Sequence, residues 1–233
     1  MRILKGLMAL GMTLSACGGD EDTAEPNYYS GAESAALGAA TNQADCATCH
    51  SNDGTTAGFS GNTFKDIAYR SAFKGGEAPN LLAGSNACVT GWMGGTALTA
   101  QDARWLALEA YLQSISDPAV TTPNAIAPEV LADEPAYTAA YEGGSASAGQ
   151  AKYQTYCANC HGGARVVGGA PAWTLAALKG QSVGRIAQKV RTSGPPPSGM
   201  NDASDTTPGP MPFFEPKELS QADLRDIIAF IKQ

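Results

Sequence analysis

The chain has only two histidines, and each directly follows a closely spaced pair of cysteines: "CATCH" (Cys46, Cys49, His50) and "CANCH" (Cys157, Cys160, His161). Two thiols three positions apart on one turn can bond to two vinyl groups along a porphyrin edge. The histidine that follows can then present its imidazole to the iron. A zinc site would need further Cys or His at suitable distances. A thioredoxin-like redox pair does not call for a histidine after the second cysteine, twice. The residues therefore point to two covalently bound haem c groups, with Cys46, Cys49, His50, Cys157, Cys160 and His161 as their attachment and proximal positions.

Each iron then has a second axial position to fill. With no further histidine, the choices are Met, Cys, Lys or water. A thioether favours the ferrous state and raises the potential, whereas a thiolate favours the ferric state and lowers it. After His161 the available sulfurs are Met200, 39 positions on in the polar stretch "PPPSGMNDASD", and Met211, 50 positions on in "GPMPFFEPKELSQADL". After His50 they are Met93, 43 positions on, and Cys88, both inside "NACVTGWMGG". If four of the six cysteines hold haem and Cys17 carries lipid, Cys88 is left over. An odd thiol in an oxidising compartment is either functional or an inert, buried small hydrophobe.

With these motifs the chain resembles the cytochrome c superfamily, as a diheme protein, over most of residues 35–233. The resemblance implies an all-α fold of two tandem cytochrome c domains, each binding one haem c. It implies that Met211, followed by Pro212, supplies the distal ligand of the second haem as in class I cytochromes c, with Met200 as the alternative. It also implies that the segment around Pro171 in "GGAPAW" packs on His161 and accepts its ring N–H through a backbone carbonyl. Gly149 and Tyr153 match positions where the family's first helix crosses its last. The first haem carries a second resemblance. "NACVTGWMGGTAL" is similar to a segment of thiosulfate dehydrogenases and SoxA-type cytochromes through Asn86, Cys88, Met93, Gly95 and Leu98. That likeness implies Cys88 as the ligand of a catalytic haem, where an ordinary c-type domain implies Met93.

The elements expected to position these residues are helices. Thr99 and Asp102 form a capping-box-like start. Ala103, Leu106, Ala107, Ala110 and Tyr111 then follow the spacing of one buried helical face. Ser220 and Asp223 repeat the start, and Leu224, Ile227, Ile228 and Ile231 repeat the stripe. "SAGQAKYQTYCANCH" reads as a helix running into the second motif; the lead-in to the first is weaker. The motifs lie 111 positions apart, which suggests an internal repeat. The expected organisation is a signal peptide over 1–16, a tether over 17–34, a first domain over 35–115, a Pro- and Ala-rich linker over 116–148, and a second domain over 149–233.

The N-terminus "MRILKGLMALGMTLSAC" has two cations, an apolar run and then small residues, the pattern of a secretory signal. Its "LSAC" ending resembles a lipoprotein signal, with Cys17 the lipidated first residue. No other segment reaches the roughly 18 apolar residues of a membrane span. The expected location is the periplasmic face of a bacterial membrane. Loss of Arg2 and Lys5 with residues 1–16 takes the formal charge from −7 to −9. An acidic surface without a basic cluster argues against nucleic acid and suits redox partners with basic docking surfaces.

Two functions follow from the residues. In the first, the protein is an electron carrier with His and Met at both irons. In the second, Cys88 ligates the first haem of an enzyme acting on a thiosulfate-like anion, with Lys65, Arg70, Lys74 and Arg104 as the cations near it in sequence. The carrier is the leading expectation. A peroxidase is a remote third, since no third histidine exists to open an iron site.

Overall fold

The computed structural model describes residues 26–31, 34–41, 43–163, 166–167, 170–192, 211 and 213–233. The signal peptide, Cys17, most of the expected tether, Met200 and Pro212 lie outside the described residues.

The regular structure of the described residues is helical apart from one minimal antiparallel ladder, β1 (Val166–Val167) with β2 (Ala170–Pro171), and an isolated bridge between Phe73 and Ala78. Its α-helices are α1 (Leu81–Gly91), α2 (Ala103–Ser114), α3 (Glu134–Tyr141), α4 (Ala146–Tyr156), α5 (Ala158–His161), α6 (Leu175–Lys179), α7 (Val183–Thr192) and α8 (Gln221–Ile231). Short 3₁₀ turns cover Ser34–Leu37, Cys46–Thr48 and Lys74–Gly76. Two separate apolar cores form. The N-terminal one gathers Tyr29, Leu37, Val89, Met93, Leu98, Trp105, Leu108 and Leu112. The C-terminal one gathers Tyr137, Tyr141, Tyr153, Ile186, Val190, Phe214 and the apolar face of α8.

In the C-terminal half, α4 packs across α8. A Cβ on Gly149 would lie 1.9 Å from the Asp226 carbonyl oxygen. Glycine is what allows the two backbones to come this close. Tyr153 lies one turn further along α4 with its ring 5.3 Å from that of Phe230, so both expected crossing positions sit at this contact. Ser220 caps α8 by accepting the Asp223 N–H at 3.1 Å, and Leu224, Ile227, Ile228 and Ile231 are all buried.

The N-terminal half departs from expectation in two places. Asp102, not Thr99, is the N-cap of α2, accepting from Arg104 N–H. The buried face of α2 is Trp105, Leu108 and Leu112. Leu106, expected inside, is 51% exposed, and Ala103 and Ala110 are exposed too. Both stripes have helical spacing. The larger side chains take the core because each removes more apolar area from water.

Two stretches read as tether and linker are packed. Tyr29 is fully buried. Its hydroxyl donates to the Ser51 carbonyl at 2.9 Å, and its ring meets those of Phe64 and Tyr111. Residues 116–126 are hydrogen-bonded back onto the N-terminal half: Ala68 N–H to Ser116 Oγ, Ser71 N–H to Thr121 O, and Asn124 N–H to Ala72 O. From residue 127 the chain belongs to the other core. Ala127 N–H donates to the buried Glu215 carboxylate, and Tyr137 of α3 is fully buried. Asp133 caps α3, which packs on α7 so closely that a Cβ on Gly184 would lie 2.2 Å from Glu134 O.

Candidate haem sites

Each Cys-x-x-Cys-His motif forms one tight turn. At the first, Asp45 caps Cys46–Thr48 and Thr48 bonds back to Asp45, a reciprocal pair. His50 N–H then closes the turn on Cys46 O at 3.0 Å. At the second, the motif follows α4 directly, and His161 N–H bonds to Cys157 O at 2.9 Å. No disulfide joins the described cysteines.

Both imidazoles are anchored in the same way. His50 Nδ1 lies 2.5 Å from Asn62 O, and His161 Nδ1 lies 2.7 Å from Trp173 O. The offset is 12 residues in each case. A backbone carbonyl can only accept, so Nδ1 carries the proton and Nε2 keeps its lone pair for a metal. Burial pushes His50 down to about 4, and the Lys74 charge adds to this while the Asn62 carbonyl opposes it. Burial lowers His161 too, against the pull of Trp173 O. Both rings are therefore neutral at physiological pH, the form that ligates iron. His50 stacks on Phe64 at 4.0 Å and lies against Gly61, where a Cβ would meet its ring at 2.3 Å. The resemblance pointed to the region around Pro171 for the second carbonyl; the acceptor is Trp173, two positions on.

Around the second motif, Cys157, His161 and Met211 line one cavity with Leu178, Ile186, Val190, Ile227 and Ile231. A soft thioether and a neutral imidazole facing a shared apolar space suit a haem iron between them. Arg191, next to Val190 of that wall, is fully buried. Its guanidinium donates to Tyr141 Oη, Phe214 O and Leu219 O, yet Nη2 has no acceptor. A buried orphan donor is costly; Arg191 is not itself among the residues lining the cavity, so the fit to haem rests on His161, Met211 and the apolar wall. The residues present fit the group.

Around the first motif the structure brings Cys46, Cys88 and Lys74 together. Cys88 lies near enough to bear electrostatically on Cys46, and the Lys74 charge opposes the upward push of burial on the Cys88 thiol. Lys74 Nζ also stands 4.0 Å from the centre of the Trp92 ring, and Trp92 Nε1 is buried without an acceptor. Lys74 has a left-handed backbone, φ +51, and is followed by Gly75 and Gly76 at φ +70 and +101. Such a conformation in a non-glycine residue costs about 1 kcal/mol or more and collects at functional sites. Of the other expected cations, Arg104 pairs with Asp102 at 2.6 Å and Arg70 donates to Asp66 O at 2.9 Å. Sequence reasoning had no ground for singling out Lys74; "KGG" was its only local signal.

Of the two first-site sulfurs, Met93 is buried and Cys88 is half-buried. Met93 is buried in the N-terminal core, against which Cys46 also packs. Cys88 lies in α1, with its carbonyl accepting the N–H groups of Trp92 and Met93 at 2.9 Å each. Three of the five positions that suggested the sulfur-oxidising cytochromes have packing roles here. The Asn86 side chain bonds Leu98 N–H at 2.7 Å and Leu98 O at 2.9 Å. A Cβ on Gly95 would lie 1.8 Å from Leu37 O. A wider cleft bordered by Asn80, Trp105 and Glu109 contains none of the candidate ligands.

The helical C-terminal half, with a Cys-x-x-Cys-His turn, an anchored histidine and a methionine lining the same apolar cavity, has the makings of a cytochrome c domain. Residues 144–231 match the family model described as cytochrome c oxidase, cbb3-type, subunit III. This part of the chain is a cytochrome c domain, which implies a covalently bound haem c and an electron-transfer role. No curated protein matches the chain.

Proposed function

We propose that the protein is a diheme cytochrome c that passes single electrons between respiratory partners, made of two tandem cytochrome c domains. Haem, when bound, supplies one-electron redox chemistry; the chain holds it, orients its axial ligands and excludes water. The observation that carries this reading is the repetition of one proximal arrangement, a Cys-x-x-Cys-His turn whose histidine is anchored by the carbonyl 12 residues on. In the second domain His161 and Met211 would hold the haem iron. In the first, His50 and Met93 would. The protein is exported and held at the periplasmic face of a membrane by a lipid on Cys17. Among the described residues no helix is long and apolar enough to cross a membrane. The acidic surface steers it to partners with basic docking patches, an attraction that weakens with salt.

The positive charge of Lys74 near Cys88 favours a second reading. Here Cys88 ligates the first haem, and the protein oxidises or reduces a thiosulfate-like anion drawn to Lys74. Magnetic circular dichroism and optical spectra of the oxidised and reduced holoprotein separate the two. For the carrier, Met93→Ala alters the first-haem spectrum and Cys88→Ala leaves it unchanged. The opposite pattern supports the enzyme. Mass spectrometry of the mature N-terminus tests the anchor: a diacylglyceryl-modified Cys17 is expected, and a free α-amine on any other residue rules the lipoprotein out.

A further inference from the structure

The two attachment turns touch each other. Asn159 Nδ2 donates to the carbonyl oxygen of Thr48. Thr48 directly precedes Cys49, and Asn159 directly precedes Cys160. Beside them, Ser60 Oγ donates to Tyr156 O at 2.8 Å, next to Cys157. Asn62, whose carbonyl anchors His50, also has its side chain near enough to Glu218 to draw that carboxyl down against the push of burial. The loop that supports the first proximal histidine is therefore fastened to the second motif's own helix and to the segment entering α8.

We infer that this contact is the route by which an electron crosses between the two sites of one molecule. Between Cys49 and Cys160 the path runs through the Thr48 and Asn159 backbones and the Asn159 side chain, with one hydrogen bond and otherwise covalent bonds. The step moves one electron from the ferrous site to the ferric one; no bond is made or broken, and no proton or further reagent is needed. Ser60 and Asn159 act as positioning residues, holding the turns together without touching the reacting centres themselves. This rests on the diheme reading, and the test keeps the two apart.

The experiment uses the full-length holoprotein. Pyridine haemochrome analysis first counts haem per chain. One electron per molecule is then delivered by flash photoreduction, and redistribution is followed at several protein concentrations. In parallel, electron paramagnetic resonance of the fully oxidised protein reads magnetic coupling between the ferric centres. Two haems, a redistribution rate independent of concentration and resolved coupling are expected. Ser60→Arg, a wedge against Tyr156, should abolish the concentration-independent phase and the coupling while leaving the helical circular dichroism and haem content intact. Asn159→Ala, which adds no bulk, should slow the same phase. Two haems with redistribution that scales with concentration, or with an undiminished rate in Ser60→Arg, overturn the inference and leave the diheme reading standing. One haem per chain overturns the diheme reading itself.

Discussion

His50 is held from two sides, by the Asn62 carbonyl at Nδ1 and by the bare Cα of Gly61 under its ring. Adding a methyl there must push the ring off its acceptor, because the Cβ would meet three ring atoms within 2.6 Å. Gly61→Ala should therefore cost about 1–3 kcal/mol by overpacking and shift the spectrum of the haem proposed at the first site. Chemical denaturation and optical spectroscopy of the holoprotein check the two effects, and an unchanged spectrum would show that His50 is not the ligand. The two Cys-x-x-Cys-His turns were legible in the sequence because the pattern is local, five residues on one turn. The anchors were harder to read: Asn62 and Trp173 act through backbone carbonyls, which carry no residue-type signal. Lys74 was also hidden, since its reach to Cys88 and Trp92 depends on a left-handed turn and a distant helix. Conversely, the pattern Asn86–Leu98 was visible, but only the structure separates its packing members from its two sulfurs.

At the scale of elements, the crossing of α4 and α8 sets the shape of the second site. Gly149→Val should lower stability by about 2 kcal/mol or more, since two backbones would have to separate; thermal unfolding followed by circular dichroism measures it. The crossing is also tied by charge. Lys152 lies 2.5 Å from Asp223 and 2.7 Å from Asp226. The Lys152 hydrogen bond holds the Asp226 carboxyl below its ordinary range, helped by the Ser145 N–H. A carboxylate with a depressed folded-state pKa stabilises the fold above its unfolded value of about 4, and that contribution disappears as pH falls through the folded value. Asp226→Asn should thus be less stable than wild type at neutral pH, with the gap closing below about pH 4. Denaturation curves across pH 2–7 check this; a gap that persists at the acid end would assign the effect to packing. The α8 stripe was readable because Leu224, Ile227, Ile228 and Ile231 leave only one face apolar. In α2, alanines and bulky residues offered two stripes of equal period, and spacing cannot weigh side-chain area.

Over the whole molecule, the connection between halves is structural. Residues 116–126 serve the first core and residues 127–141 the second. Pro- and Ala-rich composition read as a linker because long-range backbone hydrogen bonds leave no periodicity. A protease that cuts after small apolar residues should spare Val120 and Ala127 in the folded protein, with cleavage confined to segments outside this connection; mass mapping of the fragments reads it. Early cleavage at Val120 would show that the hydrogen bonds to Ser71 and Ala72 open readily. The loop around Ser60 and Asn62 adds a practical consequence for dissecting the protein. It belongs by sequence to one half and by bonding to both. A fragment ending at residue 115 would lose Tyr156 and Glu218, and with them two of the partners that steady the loop behind His50. Potentials or spectra recorded on either half alone would then describe a repaired or relaxed fragment, and adding the two sets together would not recover the intact chain.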